Sequence, residues 1–170
     1  MSISNCDRLL SQIIMRDTAG LIKQLTGPFT WQPKLKRFRA SKNNYLDISE
    51  MRAYSYNWWC YFTAIDGIGI FNEYRYSMTT AGHQSRMKAL LFTLGIDIHY
   101  TVRTSNSIAG WNLLDVMQNL KNQQAELQDR ISALVWKKSA KRSSFEFKLT
   151  CVNDDIAQLA DTINSKRKAA

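Results

Sequence analysis

The sequence predicts an α+β fold: a small antiparallel sheet built on an aromatic β-hairpin at about residues 53–78, with packed helices and a long C-terminal helix or helical hairpin. Three observations carry this. Residues 54–77, "YSYNWWCYFTAIDGIGIFNEYRYS", place nine aromatic rings around an Asp66-Gly67 pair. Residues 96–104, "IDIHYTVRT", alternate apolar and polar side chains. From residue 111 onward, apolar side chains recur at steps of four and three.

Asp66-Gly67 between Ile65 and Ile68 is a two-residue hairpin signal, because both central residues of a type I′ turn need positive φ. That register pairs Ala64 with Gly69, Phe62 with Phe71, Cys60 with Glu73 and Trp58 with Arg75 on one face. The other face carries Thr63 with Ile70, Tyr61 with Asn72, Trp59 with Tyr74, and Asn57 with Tyr76. The Phe62/Phe71 face is expected to be buried and the Trp59, Tyr61, Tyr74, Tyr76 face accessible in part.

Around the hairpin, Leu9, Leu10, Ile13, Ile14, Leu21 and Leu25 predict an amphipathic helix over 5–25, stopped by "TGP" at 26–28. The stretch "WQPKLKRFRASKNN" holds Lys34, Lys36, Arg37, Arg39 and Lys42 with no acid, and reads as an exposed basic loop at 33–44. Thr79 or Thr80 caps a helix striped with Met87, Leu90, Leu91 and Leu94, and Gly95 ends it. The alternation at 96–104 is that of a half-buried strand, with Ile96, Ile98, Tyr100 and Val102 on the inner side.

The division that follows is an α+β core over 1–109 and a helical segment over 110–170. In the latter, Leu113, Met117, Leu120, Gln124, Leu127, Ile131 and Leu134 form a heptad seam. Phe145, Leu149, Val152, Ile156, Leu159 and Ile163 keep the same spacing, and Ser143 with Glu146 has the pattern of a capping box, which favours a helical hairpin. The alternative is a short strand at "FEFKLTCV" before a helix over 153–166, started by Asn153-Asp154-Asp155. The seam packs on the returning helix or on the α+β core, or else serves dimerisation, where Gln124 would help set register and stoichiometry.

Charge narrows the function. Lys and Arg outnumber Asp and Glu by 23 to 14, a net charge of +9, and the excess is spread along the chain. A fold with such a field suits polyanionic partners. Cys6, Cys60 and Cys151 lie far apart without metal-ligand spacing, which speaks against a zinc site, and no other metal or cofactor is expected. Charges interrupt the N-terminal apolar stretch and no window approaches 18 apolar residues, so neither a signal peptide nor a membrane span is read and a cytoplasmic protein is expected.

The leading expectation is a non-catalytic nucleic-acid-binding protein. Bases would stack on Trp59, Tyr61, Tyr74 and Tyr76, while Arg75, Arg103, Lys34, Lys36, Arg37, Arg39, Lys42, Lys137, Lys138, Lys141 and Arg142 would meet phosphates. The alternative is a protein-interaction module that docks on and inhibits or adapts a larger nucleoprotein enzyme, as an accessory protein of a virus or mobile element would. A third reading takes His83-Gln84-Ser85 and His99-Tyr100-Thr101 as paired H-x-[Ser/Thr] frames of a two-histidine phosphoesterase, with His83, His99 and Thr101 as its catalytic candidates. No Gly-rich phosphate loop, HExxH or nucleophile elbow supports any other enzyme class.

Overall fold

The computed structural model describes residues 29–134 and 139–169; the expected helix at 5–25 lies outside them. The chain divides into two compact units, Met1–Gly110 and Trp111–Ala170. In the first, seven strands among the described residues form one sheet whose spatial order is their sequence order. They are β1 (Thr30–Gln32), β2 (Arg37–Ser41), β3 (Asn44–Asp47), β4 (Arg52–Ser55), β5 (Trp59–Ile65), β6 (Ile68–Asn72) and β7 (Tyr100–Val102). The first six make an antiparallel meander, and helix α1 (Met78–Thr93) crosses over so that β7 joins β6 in parallel.

Asp66 and Gly67 have φ of 50° and 83°, and the β5–β6 register pairs Phe62 with Phe71, Thr63 with Ile70 and Ala64 with Gly69 as the turn chemistry predicts. Each strand stops short of the expected hairpin, β5 starting at Trp59 and β6 ending at Asn72. Gly69 is required sterically, since a Cβ there would meet the Asp97 carbonyl oxygen at 2.0 Å. The strand expected over 96–104 pairs only at Tyr100–Val102, preceded by a single His99 N–H bond to the Gly69 carbonyl of 2.8 Å.

The basic stretch at 33–44 is not a loop. After a single 3-10 turn at Pro33–Leu35 that carries Lys34 and ends on Lys36, Arg37 and Arg39 are built into β2, Lys42 lies on the turn that follows, and β3 begins at Asn44. The reason is period two: Phe38 and Ala40 enter the core while Arg37 and Arg39 face outward. Across β2, β3 and β4, Phe38, Leu46 and Ala53 form one inward row. Arg39, Tyr45 and Tyr54 form an outward row, and Arg37, Asp47 and Arg52 the next.

Helix α1 closes the inward face. Ser77 caps it rather than Thr79 or Thr80, its Oγ accepting from Thr80 N–H at 3.1 Å. Its C-terminus is a Schellman motif, in which Gly95 N–H reaches the Phe92 carbonyl and Ile96 N–H the Leu91 carbonyl. Met87, Leu90, Leu91 and Leu94 pack on Phe38, Leu46, Phe62 and Phe71 in one core cluster. Each such fully buried side chain contributes roughly 1.5–3 kcal/mol of transfer free energy.

In the second unit, α2 (Leu113–Ser132) and α3 (Ala140–Ala169) pack on one another as a helical hairpin. Asn112 and Asp115 form a reciprocal capping box for α2. Helix α3 starts earlier than Ser143: Ser139 Oγ accepts from Arg142 N–H at 3.1 Å. The helix runs unbroken through "FEFKLTCV" and through Asn153-Asp154-Asp155, which removes the strand alternative. Gln124 in the seam donates to Asn153 Oδ1 of the returning helix at 2.7 Å.

Candidate nucleic-acid interface

The β2–β3 and β4–β5 turns, the exit of β6 and the exit of β7 all lie at one end of the sheet, because β2, β4, β6 and β7 run toward it. Tyr56 N–H donates to the Asn43 carbonyl at 2.7 Å and ties two of these turns together. Tyr56 and Asn57 both have positive φ, 56° and 64°, so the β4–β5 turn has the twist that joins antiparallel strands. Asparagine tolerates that region, whereas tyrosine is strained in it.

The turn presents rings to solvent. Trp58 is 57% exposed and Tyr76 56%, with Tyr74 and Tyr56 also exposed. Trp58 meets Tyr76 edge-on with centroids 6.2 Å apart, and Tyr74 meets Tyr76 at 6.5 Å. Tyr56 tilts against the His83 ring at 5.8 Å. The exposed rings are thus held in place by edge contacts with one another.

Tyr74 also borders a groove of about 410 Å³ between α1 and the segment leaving β6. Ala81, Gln84, Ser85 and Lys88, at helical spacing, supply one wall, and Phe71, Glu73, Tyr74, Arg75 and Arg103 the rest. Gln84 Nε2 donates to the Asn72 carbonyl at 2.6 Å and the Tyr74 carbonyl at 3.1 Å, fixing helix to wall. Three cations face one carboxylate, and Glu73 is already paired to Lys88 at 2.6 Å. The groove is net positive beside the rings.

Of the residues singled out in the sequence, Tyr74, Arg75, Tyr76 and Arg103 come together here, with Lys42 exposed on the adjoining β2–β3 turn. Trp59 and Tyr61 do not: they are 2% and 0% exposed and cannot stack on a ligand. Both faces of β5 are closed at this height, since Cys60 and Ile70 on the other side are fully buried too, and a β-bulge decides which face the two rings take. Opposite β4, Ala53 pairs with Phe62 but Tyr54 pairs with Cys60, so Tyr61 is the extra residue and turns inward beside Phe62. Its hydroxyl donates to Asn44 Oδ1 at 2.7 Å, and the Trp59 indole N–H donates to the Ser105 carbonyl at 3.1 Å, satisfying both polar ends. Lys34 and Lys36 sit at the opposite end of the sheet, and Arg37 and Arg39 on its outward face. Lys141 and Arg142 belong to the helical unit, and Lys137 and Lys138 lie outside the described residues.

Sequence reasoning missed Tyr56, Trp58 and Lys88. The available signal was Asn57, a turn former flanked by aromatics in "YSYNWW", which ends the strand two residues before Trp59.

Beneath the rings lies a buried polar network. Ser55 Oγ and His83 Nδ1 share a hydrogen bond of 2.8 Å, and Asn44 Nδ2 donates to the His83 carbonyl at 3.4 Å. Burial first, then the Arg86 guanidinium, lowers the His83 pKa below its ordinary value. His99 is elsewhere, with Nδ1 accepting from Gly69 N–H at 2.9 Å. Ser55 is opposite Trp59 and Gly69 opposite Ala64, so most of β5, about 17 Å, separates the two histidine sites. The H-x-[Ser/Thr] frames therefore do not meet at one phosphate. Burial pushes the Cys60 thiol up to about 12, so it stays protonated. Among the described residues, no group of three or more His, Cys, Asp or Glu is placed to hold a metal ion.

Comparison with protein-family models, with curated proteins and with solved structures gives no match for this chain.

Proposed function

We propose that the protein binds single-stranded nucleic acid at the ring-bearing end of its sheet, without catalysis. The observation that carries the reading is Tyr74, shared between the exposed Trp58–Tyr76 cluster and the groove lined by Arg75, Lys88 and Arg103. Unpaired bases stack on the rings, and the cations take up the phosphates that follow. The net charge of +9 supports the same class of ligand.

Tryptophan fluorescence titrated with oligonucleotides at about 50 and 200 mM salt tests it, since contacts to several phosphates weaken steeply over that range. Trp58→Ala and Tyr76→Ala are each expected to cost about 1–3 kcal/mol of binding. Arg75→Gln is expected to weaken binding and flatten its salt dependence. A folded protein whose fluorescence no single strand alters would exclude the reading.

One observation favours a second reading, a protein interface: Met78, two residues after Tyr76 in the sequence, is an apolar side chain left 92% exposed. Such an interface would bind a protein with little dependence on salt, which separates it from the first.

A further inference from the structure

The outward face of β2, β3 and β4 carries a second arrangement of rings and cations. Tyr45 and Tyr54, paired across the strands, stack with centroids 5.3 Å apart and planes 28° apart. The Arg37 guanidinium lies 4.9 Å above the Tyr45 ring. Arg37 donates through Nε to Gln32 Oε1 at 2.7 Å, and Arg39 through Nε to the Ser41 carbonyl at 3.0 Å. Each guanidinium is thus held by one atom, and its Nη groups bond nothing among the described residues. A pinned fork with open Nη groups is pre-organised for a phosphate.

The acids of this face are spent locally. Asp47 accepts from Ser49 Oγ at 2.6 Å and from Glu50 N–H at 3.1 Å, and Glu50 accepts from Arg52 at 3.2 Å and the Tyr54 hydroxyl at 3.0 Å. Arg52 Nε is a buried donor with no partner. Arg37, Arg39 and Arg52 against Asp47 and Glu50 leave the face with a small positive excess, and both carboxylates are already engaged.

Its position relates it to the ring cluster. Arg39, Tyr45 and Tyr54 form the outward row nearest the end of the sheet, and Tyr54 precedes Tyr56 by two residues. The bond from Tyr56 N–H to the Asn43 carbonyl joins the two turns over which a strand would pass, with Lys42 exposed beside it.

We propose that one nucleic-acid strand follows a track over this end of the sheet, from the groove and rings to the outward face, where Arg39 and Arg37 take its phosphates beside Tyr45. The inference rests on the reading of the ring cluster as a single-strand site, and it adds the length and path of the bound strand.

The test uses the full chain and fluorescein-labelled oligothymidylates of about 5 and about 15 nucleotides, spanning the site sizes of single-strand-binding folds. Arg37→Gln with Arg39→Gln should leave the short probe's Kd unchanged and raise the long probe's tenfold or more. Its log–log salt slope should fall by about 1.4, two contacts at roughly 0.7 each. Lys42→Gln, on an exposed turn, should act on the long probe in the same direction at about half the slope change. It carries the test alone if the double variant melts early.

Equal effects on both probes, or none on either, would overturn the track while leaving the ring-end site standing. So would two short probes bound per chain, one of them lost in the double variant. If neither probe binds the unmodified protein, the ring-end reading falls with it.

Discussion

Tyr56 holds a left-handed backbone that an L-residue with a large side chain enters at a cost of about 1–2 kcal/mol. Its ring is nonetheless 40% exposed, so core packing does not repay the strain. Lys36 and Met51 enter the same region, but at Tyr56 the strained residue also presents an exposed ring. Tyr56→Gly is expected to melt no lower than the unmodified protein while binding single strands more weakly; a lower melting temperature would show that the ring's contact with His83 outweighs the strain.

His83 gives a pH dependence of definite sign. Its pKa is lowered in the folded state from an ordinary value of 6.5, so the unfolded chain takes up the proton first as pH falls. The stability it contributes is complete above that value and is lost as pH falls from 6.5 toward the folded-state pKa. Chemical denaturation from about pH 7 to about pH 5 should show this decline, and His83→Gln should flatten it. At this scale the sequence was legible where a residue's chemistry is local. Asp66-Gly67 announced its turn, but nothing local distinguished buried Trp59 from exposed Trp58.

At the scale of elements, period decides what can be read. The β5–β6 register, the apolar stripe of α1 and the seam of α2 follow from spacing alone. The basic stretch misled because its cations dominate the composition, while the alternation of Phe38 and Ala40 with Arg37 and Arg39 was the stronger physical signal. The bulge at Tyr61 was out of reach, because it is a property of the β4–β5 pair, and one extra residue reverses the faces on either side. Half of the candidate site, Tyr74 to Tyr76 with Arg103, was visible as cations and rings in one region; the rest needed the bulge and the turn. Gln124 makes a prediction here. A polar residue in a heptad seam fixes register at a cost in stability, and its Asn153 partner is exposed. Gln124→Leu should raise the thermal midpoint of the helical unit, measured by circular dichroism, and an unchanged or lower midpoint would mean that the 2.7 Å bond outweighs the apolar gain.

On the scale of the whole molecule, charge and topology act together. Cations lie on both faces of the sheet and at both ends, so charge alone does not single out one place on it for a polyanion. On the proposed reading the rings make that choice. Among the described residues, no helix is long and apolar enough to cross a membrane. The meander of β1 to β6 has a further consequence, one of time order. Each of its joints is a short turn between neighbours, so it can zip with little loop-closure entropy, whereas β7 has no hairpin to guide it and must wait for α1 to pack across the sheet. Arg103 follows β7 directly and Lys88 rides on α1, so by this order the cationic groove is completed only after the meander beside it.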